Sequence, residues 1–345
     1  MIPIQNIYYM LSYAFQVLNE QCYKNIATEQ FNNTGELMAA ILEKGIAIQI
    51  KRGLGKEYIL QTEALSSLQG KIDIAESIKT QSMLRKQLIC TYDEFSVNSI
   101  MNRIIKSTVE LLLRSNISRQ RKKNLRKLMV YFSEVDFIDL YTVNWNVQYN
   151  RNNQTYRMLI SICYLVVKGL LQTQSNGHTK LMDFLDEQRM CRLYEKFILE
   201  YYRREFKNQI TTNASQIPWQ LDNEENSMLP VMQSDIMLQS GEKVLIIDAK
   251  YYEHSTQVQF DKHTLHSGNL YQIFTYVKNK EYELREKDHT VSGMLLYAKT
   301  DEEIYPNNVY QMSGNQITVR TLDLNLPFDE IAGQLNTIAK THFDL

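Results

Sequence analysis

Two aspartates and a lysine in the second half of the chain have the spacing of a phosphodiester-hydrolysis site. They lie in Ser234-Asp235-Ile236-Met237-Leu238, then Gln239-Ser240-Gly241-Glu242, then Lys243-Val244-Leu245-Ile246-Ile247-Asp248-Ala249-Lys250. The aliphatic run Val244 to Ile247 predicts a strand buried on both faces. Side chains alternate along a strand, so Asp248 and Lys250 share one face. Charges at the end of such a strand are costly unless they are paired or hold a metal. A turn centred between Gly241 and Glu242 puts Asp235 directly across from Asp248. Facing residues in an antiparallel pair have Cβ atoms about 4.5–5.5 Å apart. Two carboxylates that close repel unless a cation lies between them. An all-oxygen set (Asp235, Asp248, water and the Ala249 carbonyl) suits Mg2+ or Mn2+ better than zinc. Lys250 would then orient or help deprotonate the attacking water and neutralise charge on the phosphorane, while the metal polarises the phosphoryl oxygen. The register is conditional, because a one-residue slip in the turn changes which side chains meet. The competing reading is a simple salt bridge between Lys250 and one aspartate.

Three further residues are candidates for support. Gln272 and Tyr276 lie four apart on a predicted helix and so share a face; nucleases of the RecB type carry the same spacing beside their metal site. The alternative for Tyr276 is plain packing. Glu195, in Leu193-Tyr194-Glu195-Lys196-Phe197, is placed to supply a third carboxylate or to support a ligand; the alternative is a surface glutamate near Lys196. The six histidines show no metal-ligand spacing. No G-x-x-x-x-G-K-[ST] loop and no G-x-S-x-G elbow occurs.

These residues need a scaffold, and the 345-residue chain is long enough for two domains. With 44% hydrophobic residues, 12 Gly and 5 Pro, it is neither disordered nor linker-rich. A formal net charge of −1 excludes a histone-like global attraction to nucleic acid and leaves room for a local basic patch. Four scattered cysteines without a CxxC pair argue against a zinc cluster or disulfide framework. The N-terminus has no basic region ahead of its apolar stretch, so neither a signal peptide nor a membrane span is expected and the default location is cytoplasmic.

The periodicity predicts a helix at 5–18 and another at 34–45. The latter leads into a strand-like alternation, Ile46-Ala47-Ile48-Gln49-Ile50, and a further strand falls at Gln69 to Ile74. Residues 98–133 read as mostly helix, with a core stripe of Ile100, Ile104, Ile105, Val109 and Leu112. Arg114 to Lys127 holds seven cations and no acid in fourteen residues; either it is a solvated face or it meets phosphates or an acidic partner. A helix at 155–172 precedes Gln174-Ser175-Asn176-Gly177-His178, the candidate boundary between domains 1–178 and 179–345. Beyond it, a helix ending near Phe206, strands at Pro230–Leu238 and Lys243–Tyr251, a helix at Asn269–Asn279 and a strand at Val291–Tyr297 give an α/β or α+β core built around a hairpin.

Taken together, the motifs resemble the McrC subunit family of the McrBC modification-dependent (5-methylcytosine) restriction system over nearly the whole length. The matching stretches are Ile4-Gln5-Asn6-Ile7-Tyr8-Tyr9-Met10-Leu11 and Asn102-Arg103-Ile104-Ile105-Lys106-Ser107-Thr108, then Leu193 to Phe197, Ile247-Asp248-Ala249-Lys250-Tyr251-Tyr252 and Asn269-Leu270-Tyr271-Gln272. The resemblance implies a C-terminal PD-(D/E)xK restriction-endonuclease-like core, a mixed sheet flanked by helices. It assigns the catalytic positions to Asp235, Asp248 and Lys250. Ser234 stands where the motif name has Pro, and Asp248 where many members have Glu. It also implies an N-terminal α+β, helix-rich, stalk-like region that inserts into a hexameric McrB-like AAA+ ring and stimulates its GTPase. GTP is then bound by the partner, in keeping with the missing P-loop here. The implied substrate is double-stranded DNA carrying modified cytosine, with no role for a membrane. The alternatives are a non-catalytic activator and assembly subunit, or a stand-alone RecB-like repair nuclease.

Overall fold

The computed structural model describes residues 2–19, 23, 26, 29, 31–150, 153–174, 187–222, 228–252, 257–259, 262–299 and 305–345. The chain divides into two compact units, Met1–Phe31 together with Asp183–Leu345, and Asn32–Met182. Helix α1 (Ile4–Ala14) starts after Pro3 and buries Ile7, Leu11 and Ala14. Its partners lie far along the sequence. Asn6 Nδ2 donates to the carbonyls of Leu324 (2.7 Å) and Leu326 (2.8 Å). The Tyr13 ring packs 5.7 Å from Phe197 and 5.2 Å from Tyr201. A division at 178 therefore misplaces the first 31 residues, because a short amphipathic helix goes wherever its apolar stripe and its amide find partners. Of the boundary stretch expected at 174–178, residues 175–178 lie outside the described residues.

In the second unit, α2 (Thr34–Arg52) is one continuous helix, and the strand expected at 46–50 is not formed. Asn33 caps it by accepting from the Glu36 amide at 2.9 Å. Ile41, Leu42, Gly45, Ile46 and Gln49 are buried, which is helical periodicity. The alternating isoleucines imitate a strand, but burial every three to four residues decides the conformation. The chain continues through β1 (Glu57–Leu65), β2 (Lys71–Asp73), α3 (Ile74–Lys79) and β3 (Leu88–Ser96), an antiparallel sheet of order β1-β3-β2. The strand expected at 69–74 is found as β2, with Ile74 opening α3. Then come α4 (Ile100–Arg114), α5 (Arg119–Met129) and α6 (Tyr156–Gln174), as expected. Ile104, Ile105, Val109 and Leu112 form the buried stripe of α4.

The unit that carries the candidate site resumes at α7 (Glu187–Glu205). It continues through β4 (Thr211–Asn213), β5 (Gln216–Ile217), β6 (Met232–Gln233), β7 (Ile236–Ser240), β8 (Lys243–Lys250), β9 (Gln257–Gln259) and β10 (Lys262–Thr264). It closes with α8 (Ser267–Glu283), β11 (Thr290–Ala298), β12 (Asn308–Met312), β13 (Asn315–Leu322) and α9 (Phe328–Phe343). Six strands form one mixed sheet in the order β12-β13-β11-β8-β7-β4. β8, β11 and β13 run parallel, and β7 is antiparallel to β8. This is a mixed α/β architecture with helices flanking the sheet. The single strand expected at 230–238 is two pieces, β6 and β7, broken at Ser234-Asp235.

Val244 and Ile246 of β8 face a core that includes Ile273 and Val277 of α8. Leu245 and Ile247, on the reverse face, are buried as well. That two-sided burial is why the strand needs an unbroken aliphatic run. Gly293 of β11 lets α8 come close: a Cβ there would lie 2.8–2.9 Å from Ile273, Ile317 and Val277. Among the described residues no helix is long and apolar enough to cross a membrane.

Candidate functional site

The site is built by the β7–β8 hairpin. Gly241 adopts φ +57° in the turn, a left-handed conformation that suits glycine. The ladder then runs from Ser240 opposite Lys243 to Ile236 opposite Ile247. One step further, the same register brings Asp235 beside Asp248, as the turn arithmetic predicts. Asp235 Oδ2 accepts from the Ala249 amide at 3.0 Å.

Asp248 is 1% exposed, and Lys250 Nζ lies 2.9 Å from its Oδ2. The ammonium pairs with that oxygen, and among the described residues Asp248 Oδ1 has no hydrogen-bond donor. Lys250 Nζ also donates to Gln272 Oε1 at 3.2 Å, and Gln272 Nε2 donates to the Tyr276 hydroxyl at 2.9 Å. The helical i,i+4 spacing thus delivers a Gln-Tyr relay from α8 to the lysine.

Burial raises the pKa of Asp248 and the neighbouring Asp235 reinforces it, against the opposing attraction of Lys250. For Lys250, burial pulls downward, but the negative charge of Asp248, its ion pair and Asp235 outweigh it and raise the pKa. Glu195, on α7, belongs to the same electrostatic group. Its pKa is raised by burial and then by Asp235, while a hydrogen bond from Cys191 Sγ (3.0 Å) and the Lys250 charge oppose the rise. Burial and Glu195 push the Cys191 thiol up to about 12.

The structure thus gathers Asp235, Asp248, Lys250, Gln272 and Tyr276 at the end of the hairpin, with Glu195 alongside. Sequence reasoning did not single out Cys191, although it lies four residues from Glu195 on the same helix face. It also passed over Asn269, whose Nδ2 donates to the Tyr297 hydroxyl (2.9 Å) while its Oδ1 accepts from Tyr252 (3.3 Å). Tyr297 pairs with Lys250 across β8–β11, so this layer backs the lysine.

A divalent cation fits the donor chemistry. Two carboxylates sit together with one ammonium beside them, and the buried one has an oxygen, Oδ1, that no donor satisfies among the described residues. Such a group needs a cation or a proton. Among the described residues no set of three or more His, Cys, Asp or Glu side chains is gathered to hold a metal. An ion here would therefore rely on Asp235, Asp248, the Ala249 carbonyl and water.

Residues 5–298 match the family described as McrBC 5-methylcytosine restriction system component. The chain is 30% identical over 329 residues, 94% of this chain and 93% of the relative, to the Type IV methyl-directed restriction enzyme EcoKMcrBC of Escherichia coli (strain K12). The chain belongs to the McrBC family. Among solved structures, it is similar to a chain of the Thermococcus gammatolerans assembly of McrB AAA+ hexamers with bound McrC. The identity there is 18%, the coverage 97% of this chain and 76% of that one, and the TM-score 0.48. A chain of the cryo-EM structure of the Thermococcus gammatolerans McrBC complex matches with 21% identity, 59% coverage of each chain and a TM-score of 0.42.

Proposed function

We propose that this chain is the nuclease subunit of a GTP-dependent restriction complex and cuts DNA containing modified cytosine in the cytoplasm. On this reading the α/β unit is a PD-(D/E)xK nuclease core, and Asp235, Asp248 and Lys250 are its catalytic residues. The observation that carries the proposal is the buried Asp248 carboxylate beside Asp235, with Lys250 Nζ 2.9 Å from its Oδ2 and no donor on its Oδ1 among the described residues, in a chain of this family.

Asp235, Asp248 and the Ala249 carbonyl would hold Mg2+ or Mn2+, which supplies Lewis acidity toward the scissile phosphate when bound. Lys250, cationic at neutral pH, sets a positive charge where negative charge develops on the phosphoryl oxygens. Gln272 and Tyr276 hold its ammonium in place. Glu195 adds negative charge next to Asp235 and tightens the acidic end of the site. The unit Asn32–Met182 is proposed to engage a hexameric AAA+ GTPase partner and to stimulate GTP hydrolysis there. GTP binds the partner.

The test is Asp248→Asn in the complex reconstituted with its GTPase, reading cleavage of methylated DNA and GTP hydrolysis in parallel. Cleavage should fall on the order of 100-fold or more, while stimulated GTP hydrolysis persists. Undiminished cleavage overturns the site.

A further inference from the structure

Helix α5 carries a cationic face that no described residue of its own unit neutralises. Its start is fixed by Ser118, whose Oγ accepts from the Arg121 amide at 3.3 Å. Its inner face is fixed by the fully buried Leu125 and by polar contacts to Glu43 of α2. Arg121 Nη1 lies 2.8 Å from Glu43 Oε2, and Asn124 Nδ2 donates to Glu43 Oε1 at 2.9 Å. At 3.6 residues per turn, this rotation leaves Arg119, Lys123, Arg126 and Lys127 together on the opposite side, and all four are exposed. None of the four has an ion-pair partner among the described residues. By contrast, Arg114 at the end of α4 pairs with Glu110 at 3.0 Å.

Like charges four apart on a helix destabilise it. Arg119, Lys123 and Lys127 are spaced in that way, so the pattern does not serve the helix. From Arg119 to Lys127 the axis runs about 12 Å at 1.5 Å per residue. Duplex DNA offers one phosphate charge per about 1.7 Å of axis. A protein partner is a poorer fit: the exposed apolar side chains Val130 and Tyr131 lie beyond the end of the stripe and not among the four cations, and lysine is depleted in the cores of protein interfaces.

We infer that the outer face of α5, formed by Arg119, Lys123, Arg126 and Lys127, is a docking surface for the phosphate backbone of double-stranded DNA. This rests on the reading that the chain works on DNA. Phosphate contacts carry no sequence information, so the surface holds modified and unmodified duplex alike and leaves discrimination to other parts of the complex.

The test is the salt dependence of binding of unmodified duplex to the full chain, without divalent cation and therefore without cleavage. The wild type is compared with a variant carrying Arg119→Gln, Lys123→Gln, Arg126→Gln and Lys127→Gln, and with a control carrying Lys51→Gln, Lys71→Gln and Lys86→Gln, all exposed positions elsewhere in the unit. Glutamine keeps helix propensity, and circular dichroism checks the fold. Each lost phosphate contact should flatten the slope of log affinity against log salt by about 0.9. Between about 50 and 200 mM salt the wild type should then lose on the order of 100-fold more affinity than the α5 variant. The control should behave as wild type.

The same slope in the α5 variant and wild type, or no measurable DNA binding by wild type, overturns the inference. So does a variant that keeps its DNA slope but no longer stimulates GTP hydrolysis, which would mark α5 as a face for an acidic protein. An Asp248→Asn complex that still cuts DNA would sink the nuclease reading and leave this binding result standing.

Discussion

Asp235 Oδ2 takes a hydrogen bond from the Ala249 amide at 3.0 Å, one step beyond the last ladder pair of the β7–β8 hairpin. The same carboxylate that faces Asp248 thus also ties the end of its own strand to β8. Site and scaffold share an atom, so the acidic pair is held at fixed separation before any ligand arrives.

The burial of Asp248 gives a pH signature. Its pKa in the folded chain lies above the unfolded value of about 3.9. The folded state then binds the proton more tightly, and stability falls as pH rises from about 4 through the raised pKa. Asp248→Asn lacks this term. Between acid and neutral pH the wild type should lose about 1–3 kcal/mol relative to the variant in urea unfolding without divalent ions. Lys250 does not intrude, because its contribution is full below the unfolded pKa of about 10.4 and is lost only above it. Mg2+ or Mn2+ at 100 times its dissociation constant should restore about 2.7 kcal/mol to the wild type and little to the variant. A pH-independent difference would contradict a buried carboxylate with a raised pKa.

On the proposed function, Gln272 positions Lys250 through its hydrogen bond to the ammonium. Gln272→Ala frees the ammonium from its amide acceptor and should lower the cleavage rate about 10–100-fold, by analogy with the loss of outer-shell support at metal sites. The effect should fall on kcat, with DNA affinity nearly unchanged. Gln272→Glu retains an acceptor oxygen and should recover much of the rate. Equal rates for all three proteins would mean that Lys250 needs no such support.

Gly241 sets the register. A Cβ there meets no atom within 4 Å, so Gly241→Ala tests only the backbone, at φ +57°. It should cost about 1–2 kcal/mol in thermal or chemical unfolding. One extra residue inserted after Gly241 should do something different: it moves Asp235 off Asp248 and abolishes the stabilisation by divalent ions. Retained metal stabilisation in the insertion variant would refute the paired-aspartate geometry.

Asn6 ties α1 to the unit that carries the candidate site. Asn6→Ala leaves the Leu324 and Leu326 carbonyls without that donor, and such orphaned groups cost about 1–3 kcal/mol. The loss should appear in the unfolding of the full chain. No change would mean that water replaces the amide without penalty.

The hairpin was legible because all its determinants are local. Ser240-Gly241-Glu242-Lys243 specifies the turn, Val244 to Ile247 specifies a strand covered on both sides, and the two fix which residues face each other. The helices at 100–114, 156–174 and 267–283 were legible for a similar reason, a long apolar stripe at helical spacing. The isoleucines at 46, 48 and 50 misled, since a short apolar alternation carries no information about which neighbours cover it. Strands β12 and β13 and helix α9 were not anticipated, and their burial depends on partners distant in sequence.

The order of residues alone therefore determined the acidic pair and its lysine, because a turn and a two-residue alternation act over a dozen positions with no outside help. Only the tertiary structure decided that Gln272 steadies Lys250, that Cys191 bonds to Glu195 beside the aspartates, and that α1 joins the far end of the chain. Those arrangements depend on how helices settle on a sheet, and that is governed by the summed burial of many side chains, which no local window contains.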